Sequence, residues 1–369
     1  VPDPAAAALL DGDPETTWRC ARPAAAVELD LSRAKPLGSL RVDWGAAGFA
    51  SNVVVETSAD GTNWTSFGRI QVQTGDFDVL MREEAAPARF VRLAFSGAST
   101  PEGFELAGLA LRGEEGTAQP WAMLEVAAQH APPGLYPDVF RQRQTYWAVA
   151  AGPRPGDAES LLDEWGTFAP QAAAATLAPL IALDGELLSA QQAAEREHRL
   201  GGDGAPLPET TWTLPSGLAL RIRALARSGA PLPTTWVKYE LANESLMAQT
   251  GRLVWVVRPV RLPAPGPGPG RSGLAPIHRI RATDAGDWQE VRVNDAPLFA
   301  VPRRDLPFGA APFADGDAAE YFRRGETPSA RVATDDLGLA SAAWWLDFAL
   351  EPGAQTRLVV AANARTAAL

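Results

Sequence analysis

Val27-Glu-Leu-Asp-Leu31, Ser39-Leu-Arg-Val-Asp-Trp44 and Asn52-Val-Val-Val-Glu-Thr-Ser58 each return an apolar residue at every second position. A period of two puts one face of a strand in a core and the other in water. Phe90-Val-Arg-Leu-Ala-Phe95 and Leu106 to Arg112 repeat the pattern, and Ala59-Asp60-Gly61, Gly75-Asp76 and Ser96-Gly97 separate the runs with turn residues. Residues 27 to 112 therefore read as an antiparallel β-sandwich.

Working outward, the alternation breaks at Gly113-Glu-Glu-Gly-Thr-Ala-Gln119, and Pro120 to His130 follows with helical spacing before Pro132-Pro133-Gly134. A proline in the first turn and a Pro-Gly stop predict a short connecting helix packed between domains. Alternation then returns in Thr145 to Val149, Leu218 to Ala224, Thr235 to Leu241, Gly251 to Arg258, Glu290 to Val293, Ala342 to Leu350 and Thr356 to Ala361, which predicts a second, larger sandwich. Gln171 to Leu177 and Ser189 to His198 are rich in helix-forming Ala, Gln and Glu and are expected as minor helices. Pro263-Ala-Pro-Gly-Pro-Gly-Pro-Gly270 reads as an exposed, extended loop. The fold class is all-β, divided as 1–113 for the first sandwich, 114–134 for the linker and helix, and 135–369 for the second sandwich.

Composition supports this. At 369 residues and 46% hydrophobic, the chain can build more than one core. Its 32 Pro and 33 Gly suit short strands and turns better than long helices. A net charge of −11 argues against nucleic acid or anionic lipid as partner, and no apolar stretch is long enough to span a membrane. A single cysteine, Cys20, rules out an internal disulfide and a thiolate metal cluster; it reads as a small buried side chain. The chain opens on Val1-Pro2-Asp3, with any export leader expected to have been removed.

Leu10-Asp-Gly-Asp-Pro-Glu-Thr-Thr-Trp18, Val27 to Leu31, Glu56-Thr-Ser-Ala-Asp-Gly-Thr-Asn-Trp64, Ala88-Arg-Phe-Val-Arg-Leu93 and the closing strand ending at Gly113 fall in the order and spacing of the discoidin family. The first domain resembles that family, also called F5/8 type C or family 32 carbohydrate-binding modules. The resemblance implies a jelly-roll sandwich binding polysaccharide or oligosaccharide with loops at one end, Trp18 and Trp64 in the core, and often a structural Ca²⁺ near the first loop. Asp11, Asp13 and Thr16 offer hard oxygens of the kind Ca²⁺ takes. Asp11 and Asp13 serve equally as turn formers bonding their own backbone. The sequence departs from the pattern where the acidic ligand of the last strand aligns near Gly108, leaving Glu105 as the nearest acidic candidate.

A sugar-stacking platform needs an exposed flat ring with polar partners at its rim. The loop aromatics Phe49, Phe77 and Phe104, with Trp44 at a strand end and Asn52 and Arg82 beside them, are the candidates.

The second domain resembles the β-supersandwich that precedes an (α/α)6 toroid in large bacterial glycoside hydrolase and phosphorylase-like proteins. Leu135 to Phe140, Gln144 to Trp147, Ile181 to Leu188, Leu207 to Trp212, Val257 to Val260, Ala275 to His278, Val291 to Asn294 and Phe313 to Asp317 carry that likeness. It implies that the toroid holding the acid and base lies on a partner domain or subunit.

Within the chain itself, Asp163-Glu164, Asp315, Asp317, Glu320 and Asp335-Asp336 are the acidic clusters a glycosidase would draw on. They read more readily as solvated hairpin tips. His130, His198 and His278 have no metal spacing, and no catalytic residue is assigned. The expectation is a secreted, extracellular or periplasmic carbohydrate-binding and scaffolding portion. The alternatives are a self-contained glycoside hydrolase and a cell-surface protein-interaction module.

Overall fold

The computed structural model describes residues 9–11, 13, 15–72, 75–141, 143–152, 159–170, 175–201, 207–227, 234–262 and 273–362. They fall into two compact units, Val1–Val126 and Ala127–Leu369. Both are built from antiparallel strands, and the chain is all-β as its alternation predicts. The Pro/Gly loop at 263–270 and residues 171–174 of one expected helix lie outside the described residues.

In the N-terminal unit the strands are β1 (Trp18–Cys20), β2 (Ala24–Trp44), β3 (Ala50–Ser58), β4 (Thr65–Gln71), β5 (Phe77–Ala98) and β6 (Phe104–Arg112). Their order is β1-β6-β2-β5-β3-β4. Two strands of more than twenty residues would make a flat ribbon if straight, but the pairing of β2 with β5 breaks between Asp30 and Lys35 and again between Leu37 and Ser39. Ser32 sits there at a positive φ, its N–H donating to Asp30 Oδ1 at 2.8 Å. The irregularity bends both strands, so that the first half of β2 belongs to one layer and the second half to the other. Val27 and Leu29 from one layer and Leu40 and Val42 from the other share a core with Val53, Val91, Leu93, Phe95, Phe104 and Leu106. Each such side chain contributes about 1.5–3 kcal/mol by leaving water.

A helix, α1 (Pro120–His130), follows with Pro120 in its first turn, as the sequence predicts.

The C-terminal unit is two antiparallel sheets around one core. One runs through Phe308–Ala311, Ser341–Leu350, Gln249–Arg258, Thr176–Leu183, Phe168–Ala169 and Glu159–Asp163 to Trp147–Ala151. The other runs from Glu195–Gly201 through Leu207–Thr213, Leu218–Arg227, Thr234–Asn243, Gln355–Ala362, Ala296–Val301, Trp288–Val293 and Arg279–Ala285 to Val332–Thr334. Trp255 and Trp344 of the first meet Trp212 and Tyr239 of the second in the shared core.

Two expectations need correction. Ser189–His198 is not a helix: Ser189 caps a 3₁₀ turn at Ala190–Gln192, and the chain passes into the strand Glu195–Gly201, where His198 pairs with Thr210. Ladder bonds to a neighbouring strand outweigh the few tenths of a kcal/mol per residue of helix propensity. In the other segment, Thr176 and Leu177 already belong to a strand. The run Leu253–Arg258 is buried at every position rather than at alternate ones, the signature of a strand covered on both faces.

Candidate functional site

One end of the N-terminal sandwich gathers the loops that hold most of the candidate residues. The loop after β2 is stitched to its neighbours by backbone bonds: Trp44 N–H to Asp76 O at 3.0 Å, Gly45 N–H to Glu105 O at 2.8 Å, and Glu105 N–H to Gly48 O at 2.9 Å. Ser99 N–H donates to Phe49 O at 2.8 Å, and Phe49 N–H returns a bond to Ser99 Oγ at 2.8 Å. The segments 45–49, 75–76 and 99–103 therefore form one continuous rim.

The four aromatic candidates separate by burial. Phe104 is fully buried, its ring 5.4 Å from Phe95 and 6.4 Å from Trp44. Trp44 is buried as well, with Nε1 donating to Asp78 Oδ2 at 2.8 Å. Phe77 lies under the Arg41 guanidinium, 4.0 Å from its ring centre. These three are core or covered rings, contrary to the expectation of exposed platforms, because β2, β5 and β6 begin or end with inward-facing positions. Phe49 alone of the four is only partly buried, packed against the edge of the core. Gly75 holds it there: a Cβ on Gly75 would stand 2.4 Å from Phe49 Cδ1, and Gly75 adopts a φ of +75°.

The polar candidates also part company. Asn52, at the rim, donates from Nδ2 to Ser96 Oγ at 3.0 Å, which leaves its carbonyl for another donor. Arg82 lies elsewhere, five positions along β5 from Phe77 and so about 17 Å away. There it stacks on Phe67 and reaches Ser66 O. Alternation could not place it, since the register of β5 against β2 is set by the irregularity near Leu37. The same register brings in two residues the sequence reading passes over, Arg41 and Ser96. Arg41 and its salt-bridge partner Asp43 were legible as same-face neighbours on one strand.

The first loop closes on itself. Asp13 N–H and Thr16 Oγ1 donate to the two oxygens of Asp11 at 2.9 and 2.8 Å, Glu15 N–H donates to Asp13 Oδ1 at 3.0 Å, and Thr16 Oγ1 also lies 3.0 Å from Asp13 O. The Asp13 N–H and then the Thr16 hydroxyl hold the Asp11 carboxyl below its ordinary range. Hard oxygens of Asp11, Asp13 and Thr16 thus meet within one turn, a donor set chemically suited to Ca²⁺. Glu105 does not join them: it accepts from Thr17 Oγ1 at 2.9 Å and Ala47 N–H at 3.0 Å, over Gly45. Among the described residues no three His, Cys, Asp or Glu side chains gather as a metal group, so a calcium cage here needs hydroxyl and carbonyl oxygens.

Trp18 packs partly buried against Phe104, at 6.2 Å. Trp64 is partly exposed and stands outside the core cluster: Arg92 lies 3.7 Å over it, at the Ser58–Thr65 end of β3, away from Phe49.

In the C-terminal unit the acidic clusters are turn-makers, and the best of them are buried rather than solvated. Asp163 Oδ1 accepts from Trp165 N–H at 2.9 Å and Thr167 N–H at 2.6 Å, and burial pushes its carboxyl up to about 7. Asp317 caps the helix Ala318–Arg323 and pairs with the equally buried Arg258 at 2.9 Å. Asp335 accepts from the N–H groups of Phe313, Leu337 and Leu339. His198 bonds Thr210 Oγ1, and His278 reaches Asp335 O.

No curated protein matches the chain. Among solved structures, a chitosan-binding module 1 from the chitosanase/glucanase of Paenibacillus sp. IK-5 is 26% identical, with 29% of this chain and 84% of that one covered and a TM-score of 0.27. The family 32 carbohydrate-binding module of Clostridium perfringens NanJ, solved with galactose, is 18% identical, with 30% and 84% covered and a TM-score of 0.26. Residues 3–108 match the family model of the F5/8 type C domain. The chain carries an F5/8 type C domain at its N-terminus.

Proposed function

We propose that the F5/8 type C domain binds carbohydrate at the rim formed by its 45–49, 75–76 and 99–103 loops, with Phe49 as the apolar surface and Asn52 as a polar partner. The observation that carries this is that Phe49 is only partly buried at a hydrogen-bonded loop end where the other aromatic rings are withdrawn. Asn52 and the exposed Ser51 and Ser99 line the same rim and supply the amide and hydroxyl groups that sugar hydroxyls pair with. The resemblance to sugar-binding family members supports the same reading.

In this account the domain tethers a polysaccharide while the chemistry belongs to a partner domain or subunit, the (α/α)6 toroid of the second resemblance, in a secreted protein. The first loop is proposed to seat a structural Ca²⁺ through Asp11, Asp13 and Thr16. Pull-down on insoluble polysaccharides tests the binding reading: the chain should be retained, and Phe49→Ala should pass through. Sugar release by the purified chain would favour a self-contained hydrolase instead. A co-purifying protein with no glycan retained would favour a protein-interaction module.

A further inference from the structure

Two tryptophans of the C-terminal unit lie on the solvent side of a sheet. Trp236 and Trp288 belong to neither core cluster and are partly exposed. The residues that follow them turn inward, Val237 into the core and Gln289 onto Trp344 Nε1 and Leu306 O, so alternation puts both indoles on the outer face. Register sets them around a shallow floor: Trp236 faces Ala361, Ala361 faces Ala300, and Ala300 faces Glu290, two residues from Trp288 on the same face. The strands that carry the tryptophans are three spacings apart, about 14 Å, yet the ring centres are 6.1 Å apart. Both side chains therefore lean toward each other along the sheet, over Ala361 and Ala300, whose short methyl groups leave room for them and are buried as a result. The ring planes differ by 59°, as expected of two rings lying flat three strands apart on a sheet that twists by about 20–25° per strand. A ring lying flat on a sheet shows its other side to water.

Leu225, 47% exposed, faces Trp236 from the next strand and lengthens this apolar strip to four strand spacings, about 19 Å. An apolar strip kept in water on a sheet face marks a binding surface. Its edges are ion pairs rather than charges of one sign. Glu240 takes Lys238 and Arg221, Glu209 takes Arg223 and Arg199, and Glu290 takes Arg292. Glu197 also reaches Arg199, and Arg357 faces Glu240 in register. Every one of these carboxylates has its cation, and the pairs still offer guanidinium and ammonium donors and carboxylate lone pairs at the margin of the strip. Flat apolar surface flanked by both donors and acceptors suits a ligand with apolar ring faces and hydroxyl edges, and a chain of net charge −11 does not draw polyanions.

We propose that this strip binds a chain of neutral sugars, with pyranose faces on Trp236, Trp288 and Leu225 and hydroxyls on the Lys238–Glu240 and Arg292–Glu290 pairs. It is a second carbohydrate site, on the other unit from Phe49, and it does not depend on that one.

Calorimetric titration of the full chain, as parent and as Phe49→Ala, with cellohexaose, xylohexaose, mannohexaose, hexagalacturonate and a single-stranded oligothymidylate tests this. At equilibrium a weak site registers that washing of an insoluble matrix strips away. At least one neutral hexasaccharide should bind Phe49→Ala, and adding Trp236→Ala or Trp288→Ala should weaken that binding at least tenfold. Trp288→Phe keeps a flat ring and should weaken it less. Neither tryptophan belongs to the core, so these variants should keep the cooperative melt of the parent, which separates lost binding from lost folding. No neutral hexasaccharide bound, binding unchanged in both tryptophan-to-alanine variants, binding of hexagalacturonate or oligothymidylate alone, or self-association in sedimentation that Trp236→Ala abolishes would each overturn the proposal. If the Phe49 rim is what fails, parent and Phe49→Ala titrate alike and the tryptophan dependence remains.

Discussion

Replacing Asp163 by Asn should stabilise the protein at alkaline pH and do little at acid pH. The Asp163 side chain is buried and burial lifts its carboxyl from 3.8 to about 7, against the pull of the Thr167 and Trp165 N–H groups. Between those two values the folded chain holds a proton that the unfolded chain has released, so stability falls as pH rises through the window and levels off above about 7. Three pH units at about 1.4 kcal/mol each set a ceiling of about 4 kcal/mol for the whole window, of which about 2–3 kcal/mol falls between pH 5 and pH 8. Asn keeps the acceptor oxygen that the two backbone N–H groups use, and it cannot ionise. Urea unfolding of parent and variant at a series of pH values cancels the background of the other titrating groups. The stability difference should favour Asp163→Asn increasingly with pH, by about 2–3 kcal/mol over that interval. Parallel curves would refute the argument that burial raises this carboxyl.

Phe104→Ala should cost about 3–5 kcal/mol, since it empties a fully buried position, and differential scanning calorimetry would show the loss as a drop in the melting of the N-terminal unit. Gly75→Ala should lower glycan retention in pull-downs while leaving far-ultraviolet circular dichroism intact, because its Cβ displaces the Phe49 ring. Asp317→Ala should destabilise the C-terminal unit by about 3–5 kcal/mol in urea, for it strands the buried Arg258; the double variant Arg258→Met with Asp317→Leu should recover much of that. Calcium added to chelator-treated protein should raise the melting temperature by several degrees, and Asp13→Asn should abolish the rise; an unchanged melt in the parent would remove the ion from the first loop.

Strand periodicity made the first sandwich legible because Val27 and Leu29, Leu40 and Val42, Val53 and Val55, and Val91, Leu93 and Phe95 alternate with less buried neighbours. Turn chemistry made the loop Asp60-Gly61 legible, where Asp60 Oδ1 collects the N–H groups of Thr62 and Asn63 at 2.8 Å. What stayed hidden depends on register and on tertiary cover. Trp44 and Phe104 look like loop aromatics by position, yet the strand ends that carry them turn inward, and Arg41 shields Phe77 from a neighbouring position that only the pairing Asp43 to Phe77 reveals. The position of Arg82 against Phe67 depends on the same register. Ser189 to His198 has helical composition and strand pairing, and long-range ladder bonds decide such a segment. Asp163 reads as an ordinary acidic turn, and nothing in Asp163-Glu-Trp-Gly166 announces that both sheets close over it.

Affinity of the isolated F5/8 type C domain and of its Phe49→Ala variant for a panel of soluble oligosaccharides, followed by nuclear magnetic resonance titration, tests the central claim most directly. Shifts confined to the 45–52, 75–76 and 96–103 segments, lost in the variant, are the result this account predicts. Saturable shifts that centre on Trp64 and Arg92, or binding that Phe49→Ala leaves intact, would contradict it.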